Sequence, residues 1–148
     1  MSTDTPRKSA PASSVTRAAA GELIAAVHGA AARIGFSAAV AVTDQAGHPK
    51  AFDRADDAPF LTAEVALDKA WTAASFRLPT HTWNDLIANP RIAPLAGHPR
   101  VMAVGGGYPI IENGRYIGGL GISGGDYAQD QQAAEEALAA LGFELPGQ

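Results

Sequence analysis

Residues 101–125 read VMAVGGGYPIIENGRYIGGLGISGG, and this stretch decides the predicted fold. Two apolar runs flank Asn113-Gly114, a dipeptide that adopts positive φ at both central positions of a type I′ turn. We therefore predict a β-hairpin around this turn. Residues 101–104 are apolar and indicate a further strand ahead of the hairpin, which gives three consecutive strands.

The strand after the turn is predicted to alternate between two unlike faces. One face carries Tyr116, Gly118, Leu120 and Ile122, and the other carries Ile117, Gly119, Gly121 and Ser123. Glycine weakens a strand, so Gly119 and Gly121 indicate that another group lies very close to the backbone there. A closely packed helix and a flat ligand are both compatible with this pattern.

The remainder of the chain predicts four helices and a second hairpin. We predict a helix over 16–34, strands over 36–43 and 50–54, a helix over 62–76 with Thr62 as N-cap, a short helix capped by Thr80 or Thr82, and a last helix from Asp126 to Gly142. Asp126 and Gln129 match a capping box, Asp130 complements the dipole of the same helix, and Gly35 is predicted to end the first helix. Lys69 stands inside the alanine-rich helix over 62–76, where its ammonium would reach water or meet a carboxylate or propionate. The predicted order is α-β-β-α-(α)-β-β-β-α.

Composition limits the class of protein. The chain has 148 residues, 47% of them hydrophobic, which fits one domain with a substantial core. A net charge of -4 argues against nucleic-acid or anionic-membrane partners.

Residues 1–15 are polar, contain two prolines and lack the apolar region of a secretory signal. We expect a disordered tail over 1–15, a single domain over 16–148 and a cytoplasmic location, with which the absence of Cys is compatible.

Common catalytic and metal motifs are missing. The glycines at 105–107 are not followed by the Lys-Ser or Lys-Thr of a phosphate-binding loop. The match of residues 121–125 to a nucleophile elbow lacks the required parallel α/β context. No pair of histidines has the spacing of a helical zinc site. The residues alone therefore predict an α/β-type domain with a glycine-lined sheet and no assigned chemistry.

Three ordered blocks carry a resemblance to a known family. They read AVAVTDQAGHPKAFDRADDA, LDKAWTAASFRLPT and GGGYPIIENGRYIGGLGISGGDYAQD. They resemble the HbpS/GlcG-like family, which includes the extracellular haem-binding protein HbpS, GlcG and the C-terminal domain of PduO-type proteins. The resemblance covers residues 21–142. It implies an α+β, profilin-like fold with a five-stranded antiparallel sheet flanked by helices, in the order already predicted.

The resemblance also implies a ligand and a set of site residues. It implies haem or tetrapyrrole binding, in some members with haem degradation, and self-association into dimers or larger homo-oligomers. By this resemblance, Lys69 and Arg77 are candidates to hold the haem propionates. Thr80 matches a threonine that can approach the haem iron, and the neighbouring His81 is chemically the better axial metal ligand. Gly119 and Gly121 would offer a flat surface for the ring.

Two functions are carried forward as expectations. The first is an intracellular haem- or tetrapyrrole-binding protein of the HbpS/GlcG type, with haem degradation as a further implied activity. The alternative is a cofactor-independent isomerase, cyclase or hydrolase acting on a small organic molecule. In that case Lys69, Arg54, Asp44, His81 and Tyr108 would converge on a pocket between subunits, and one of them would act as general acid or base.

Overall fold

Residues 5–147 are described by a computed structural model in which helices cover both faces of one antiparallel sheet. The elements are α1 (Arg17–Ile34), β1 (Ala39–Asp44), β2 (Pro49–Arg54), α2 (Leu61–Phe76), α3 (Thr82–Leu86), β3 (Gly107–Glu112), β4 (Arg115–Ser123) and α4 (Tyr127–Ala140). The strand order is β2-β1-β4-β3, and all neighbouring strands are antiparallel. The predicted α+β class and antiparallel sheet are therefore confirmed.

The sheet has four strands, so the prediction of five was wrong. The missing strand is the apolar run at residues 101–104. The backbone amide of Met102 donates to Thr72 Oγ1 at 3.0 Å, and the carbonyl of Val104 accepts from Thr80 Oγ1 at 2.6 Å. Because hydroxyl groups in and after α2 satisfy this backbone, the run lies along that helix and does not pair with β3.

Two predicted helix starts and one predicted end are confirmed. Thr16 caps α1, since its side chain accepts a hydrogen bond from the amide of Ala19 at 3.0 Å. Gly35 ends the same helix in the left-handed region, with φ 109°. At α4, the Asp126 side chain accepts from the amide of Gln129 at 2.8 Å, and the Gln129 side chain returns a bond to the amide of Asp126 at 3.0 Å. This reciprocal pair is the predicted capping box.

The predicted caps of the two middle helices were wrong. Thr62 lies inside α2, where its hydroxyl donates to the carbonyl of Pro59 at 2.6 Å. At α3, His81 occupies the N-cap position and makes no side-chain cap, and Thr82 is already helical. The hydroxyl of Thr80 bonds elsewhere. Both starts are stabilised by backbone turns that a residue-type rule for caps does not detect.

The sheet separates two packing faces of different character. The face covered by α1 and α4 contains the larger apolar side chains, including Val40, Val42, Ile110, Leu120 and Ile122. The face covered by α2 is made of small residues. There Ala39 and Ala41 of β1 pack against Ala66 and Ala70 of the helix. Small side chains on both surfaces bring α2 unusually close to the sheet.

The turn between β3 and β4 is the predicted type, and the end of the chain packs beside it. Asn113 and Gly114 have φ values of 50° and 74°. The carboxylate of Glu144 accepts from the amide of Gly114 at 2.9 Å, and the amide of Glu144 donates to the carbonyl of Ile111 at 3.0 Å. These contacts cover part of the outer edge of β3.

A β-bulge in β4 reverses the predicted faces of Tyr116 and Ile117, whereas the alternation from Gly118 to Ile122 is as predicted. Gly118 pairs with Ile110 and Tyr116 pairs with Ile111, so Ile117 is an extra residue without an opposite partner. Ile117 packs into the cluster under α1 and α4, on the same face as Gly118. The extra residue therefore turns Tyr116 to the α2 side of the sheet.

The N-terminal segment joins the domain earlier than predicted. Val15 is 2% exposed, and its amide donates to the carbonyl of Ile117 at 2.9 Å. Ser13 Oγ lies 3.3 Å from a guanidinium nitrogen of Arg115, and Ser14 Oγ lies 3.4 Å from the amide of Gln45. Residues 13–15 therefore belong to the packed domain, whereas residues 1–4 of the expected tail lie outside the described residues.

Candidate functional site

Lys69 forms a buried ion pair. Its side chain is 1% exposed, and Nζ donates to the carbonyl of Ile122 at 2.8 Å and to Asp130 Oδ2 at 3.1 Å. The other carboxylate oxygen of Asp130 accepts from the amide of Gly125 at 3.0 Å. Burial lowers the pKa of Lys69 and raises the pKa of Asp130, and the charge of each partner opposes the shift of the other. The ammonium joins α2 to β4 and α4, and two of its three N–H groups are used in these bonds.

Gly119 and Gly121 contact the backbone of α2 directly. A Cβ added to Gly119 would lie 2.1 Å from the carbonyl oxygen of Ala70, and one added to Gly121 would lie 2.0 Å from that of Ala66. Both glycines are buried. Of the two interpretations left open by the sequence, the closely packed helix is the one observed. The predicted flat ligand surface at these glycines is covered by α2.

Thr80 is fully buried, and its hydroxyl has a structural role. Oγ1 donates to the carbonyl of Val104 at 2.6 Å and accepts from the amide of Gly107 at 2.8 Å. Its own amide donates to the carbonyl of Gly107 at 2.9 Å. The hydroxyl therefore fixes the entry into β3 and is not aimed at a cavity where it could approach an iron.

His81 and Tyr108 are the two predicted site residues that the structure brings together. Their ring centroids are 5.8 Å apart. Tyr108 OH donates to Glu135 Oε1 at 2.6 Å, and burial together with this carboxylate raises the pKa of Tyr108 above its ordinary value. The phenol therefore stays protonated at neutral pH. Nδ1 of His81 is buried and has no hydrogen-bond partner among residues 5–147, which makes it an unsatisfied polar atom.

The other predicted polar residues lie in separate local structures. A guanidinium nitrogen of Arg54 donates to the carbonyl of Ala58 and holds the loop before α2. Asp44 Oδ1 accepts from the amides of Ala46 and His48 at 2.9 and 3.0 Å and stabilises the turn between β1 and β2. Each of these two side chains satisfies backbone groups within four residues of itself. They do not share a pocket with His81.

Arg77 and His81 contact rings on opposite faces of the sheet. The guanidinium of Arg77 is 4.9 Å from the ring centroid of Tyr116, which the β-bulge turns toward α2. The ring that His81 contacts, Tyr108, belongs to the cluster under α1 and α4. One subunit therefore does not present Arg77 and His81 to a single flat ligand.

Two participants in these contacts were not predicted as site residues. Asp130 was interpreted as a residue that complements the helix dipole, although it shares the buried stripe of α4 with Ala133, Ala134 and Ala137. A carboxylate on an apolar stripe is a usable signal for a buried cation partner. Glu135 carries no such signal, because it is an exposed position whose contact with Tyr108 depends on the packing of α4 over β3.

Residues 5–147 contain no group of three or more His, Asp or Glu side chains placed to hold a metal ion. Within the same residues, no helix has both the length and the apolar character needed to span a membrane. A haem iron differs from such a site because the porphyrin supplies most of its ligands and the protein needs to add only one or two. A single imidazole such as that of His81 is therefore enough to serve as the protein ligand of a haem iron.

Comparison with known proteins gives consistent matches. A sequence model of the family described as "Haem degrading protein HbpS-like" matches residues 15–139. An uncharacterised 15.0 kDa protein of Citrobacter freundii, from the dhaT-dhaS intergenic region, is 36% identical over 134 residues, which cover 88% of this chain and 94% of the relative. The crystal structure of Klebsiella pneumoniae ORFY is 33% identical with a TM-score of 0.87, covering 92% of this chain and 96% of ORFY. The crystal structure of a PduOC–haem complex is 30% identical with a TM-score of 0.81, covering 89% of this chain and 98% of PduOC.

Proposed function

Because the chain belongs to the HbpS-like family of haem-degrading proteins, we propose that it binds haem or a related tetrapyrrole. The observation that carries the proposal is the similarity to the PduOC–haem complex, which extends over 98% of that chain. The α+β architecture with helices on both faces of an antiparallel sheet is common to the two proteins at a TM-score of 0.81. Fold similarity alone does not specify a ligand, so the proposal also has to fit the side chains present.

His81 is the side chain of this protein that best fits an axial ligand. The three other histidines have partners: His28 Nε2 lies 2.7 Å from Asp53 Oδ2, His48 lies beside Asp44, and His98 stacks on a tryptophan while its Nδ1 accepts a backbone amide. His81 is partly exposed, and because its unpartnered Nδ1 is buried, Nε2 is the nitrogen that would meet an iron. When bound, haem would supply a redox-active iron, and His81 would hold and orient it.

The remaining candidates fit this ligand less well. The charge of Lys69 is paired with Asp130, the hydroxyl of Thr80 is bonded to backbone on both sides, and Arg77 contacts a ring on the other face of the sheet. Propionate groups near His81 would therefore meet cations of a second subunit. The proposed tetrapyrrole site is completed by self-association.

The cofactor-independent enzyme has less support. It requires five polar groups to converge on a pocket between subunits, and within one subunit the structure brings together only His81 and Tyr108. Tyr108 cannot act as a base at neutral pH, because burial and Glu135 keep its phenol protonated. Within one subunit, the haem-binding proposal requires only the imidazole of His81, and it is preferred for that reason.

A haemin titration tests the proposal. The purified protein should bind haemin saturably, one per subunit, with a shifted Soret band. His81→Ala should change the band position and weaken binding roughly tenfold, since an axial ligand is lost. His48→Ala is the matched control, because that imidazole is 78% exposed, and it should titrate like the parent protein. Unsaturable binding would reject the function, and equal titrations of the two variants would reject His81 as the ligand.

Self-association is tested separately by sedimentation. Phe60 and Leu61 at the start of α2 and Phe76 at its end are 86%, 59% and 55% exposed, so large apolar side chains lie on the surface at both ends of this helix. We expect a dimer or larger species at micromolar concentration, and a shift toward monomer in Phe60→Ser. Phe60→Ser should keep the parent circular dichroism spectrum, because this side chain packs little within the subunit. A parent protein that sediments as a monomer would contradict the proposal.

A further inference from the structure

A cavity of about 450 Å³ lies beside the β3–β4 turn, away from the proposed haem ligand. It is lined by Pro11, Ala12, Ser13, Gln45, Arg77, Gly114, Arg115 and Tyr116. Its volume is within the range of small-molecule sites in proteins. We name this cavity the arginine notch, after Arg77 and Arg115.

Two local irregularities of the backbone bring the guanidinium of Arg77 over the ring of Tyr116 at the wall of the notch. The β-bulge at Ile117 turns Tyr116 toward α2, as described above. Arg77, the residue that ends α2, has φ 59°, a conformation that few residues other than glycine adopt. The result of both is that the guanidinium of Arg77 lies 4.9 Å from the centre of the Tyr116 ring. Bulges and left-handed non-glycine residues are enriched where a side chain is directed to a ligand.

The polar groups of the notch are predominantly hydrogen-bond donors. Arg77 makes no ion pair with any carboxylate of residues 5–147. Arg115 has one acidic neighbour, Glu112, at 3.7 Å, and both of these side chains are more than half exposed, so the pair is weak. The amide group of Gln45 and the hydroxyl of Ser13 add neutral donors. The carboxylate of Glu144 accepts from the amide of Gly114 but makes no ion pair with either arginine among residues 5–147, so the two cations form a local site for an anion.

We propose that the arginine notch binds a small organic monocarboxylate. A guanidinium matches a carboxylate by two parallel hydrogen bonds. The rings of Pro11 and Tyr116 and the methyl group of Ala12 give the apolar body of such a ligand a surface to contact. A phosphate dianion fits less well, because Arg77 stands at the C-terminal end of α2, where the helix dipole is negative. The amide of Gly114, which could otherwise serve a phosphate, is already bonded to Glu144.

Within one subunit, this site is separate from the proposed haem ligand. Arg77 and His81 contact rings on opposite faces of the sheet, and neither Tyr108 nor Glu135 lines the notch. The test therefore contains no haem, and its outcome does not depend on the haemin titration.

Benzoate is the probe, and amide chemical shifts of the uniformly ¹⁵N-labelled full chain are the measurement. Benzoate should give saturable shifts grouped at residues 12–15, 45 and 114–116. Benzamide, which has the same shape without the charge, and inorganic phosphate should give none. Arg77→Gln should weaken benzoate binding about tenfold, and Arg115→Gln should weaken it less. Arg91→Gln, at an exposed arginine outside the notch, is the control and should bind like the parent.

Three results would overturn the proposal. They are benzoate shifts that are absent or scattered over the surface, benzamide or phosphate binding as tightly as benzoate, and equal affinity in Arg77→Gln and Arg91→Gln. Thermal unfolding of both variants shows whether each is folded. If Arg77→Gln is unfolded, the comparison of Arg115→Gln with Arg91→Gln decides the question in the same way.

Discussion

Replacing Asp130 by Ala is expected to lower the free energy of unfolding by about 3–5 kcal/mol, the usual consequence of stranding one member of a buried ion pair. In the variant, the ammonium of Lys69 would be left in a site where its side chain is 1% exposed. The amide of Gly125 would also lose its acceptor. Urea unfolding followed by circular dichroism measures the loss.

The coupling between the two residues provides a sharper test than either single change. Lys69→Met should also destabilise the protein, because it strands the carboxylate of Asp130. The double variant Lys69→Met/Asp130→Ala should cost much less than the sum of the two, since it leaves no unpaired buried charge. Asp57→Ala is the matched control, because that exposed carboxylate has no hydrogen bond among residues 5–147, and it should change stability by less than about 0.5 kcal/mol. Additive losses, or an Asp130→Ala variant as stable as the control, would contradict the role assigned to the pair.

This pair also shows where prediction from sequence reached its limit. Lys69 was recognised as unusual within an alanine-rich helix, and a carboxylate was one of its predicted partners. Asp130, the partner, lies 61 positions further along the chain on α4. The sequence predicted this helix but not which of its side chains face the sheet. A local sequence pattern indicates that a buried lysine needs an acidic partner. It does not indicate which of the 15 acidic residues lies next to that lysine in the folded protein.

Elements whose signals are local were predicted well. The Asn113-Gly114 turn, the capping box at Asp126 and the left-handed Gly35 each depend on residues within one turn of the chain, and the structure contains all three. The predicted strand at residues 101–104 failed because its apolar composition is equally compatible with a segment lying along α2. Hydroxyl groups of Thr72 and Thr80, distant in sequence, decide between the two.

The candidate site was less predictable than the fold for a related reason. A single extra residue in β4 moves Tyr116 to the other face of the sheet, and periodicity alone cannot locate that residue. The same bulge creates the wall of the arginine notch. Thr80 was selected by resemblance, whereas its bonding to Val104 and Gly107 becomes visible only when the segments before β3 are placed.

Gly121→Ala is the second change expected to have a large effect, a loss of about 3 kcal/mol or more in the free energy of unfolding. A Cβ at this position would lie 2.0 Å from the carbonyl oxygen of Ala66 and 2.6 Å from the amide nitrogen of Ala70. Both contacts are to helix backbone, which cannot rotate away as a flexible side chain would. The helix α2 would have to move off the sheet and break its contacts with β1 and β4.

Gly21→Ala is the matched substitution for this experiment. Gly21 lies in α1, and a Cβ added there meets nothing within 4 Å. The same change should therefore stabilise the protein by up to about 1 kcal/mol, because alanine is the better helix former. The two variants should move the urea midpoint in opposite directions from the parent. If Gly121→Ala unfolds at the parent's midpoint, α2 is not in contact with the sheet at this glycine, and the surface would again be open to a flat ligand.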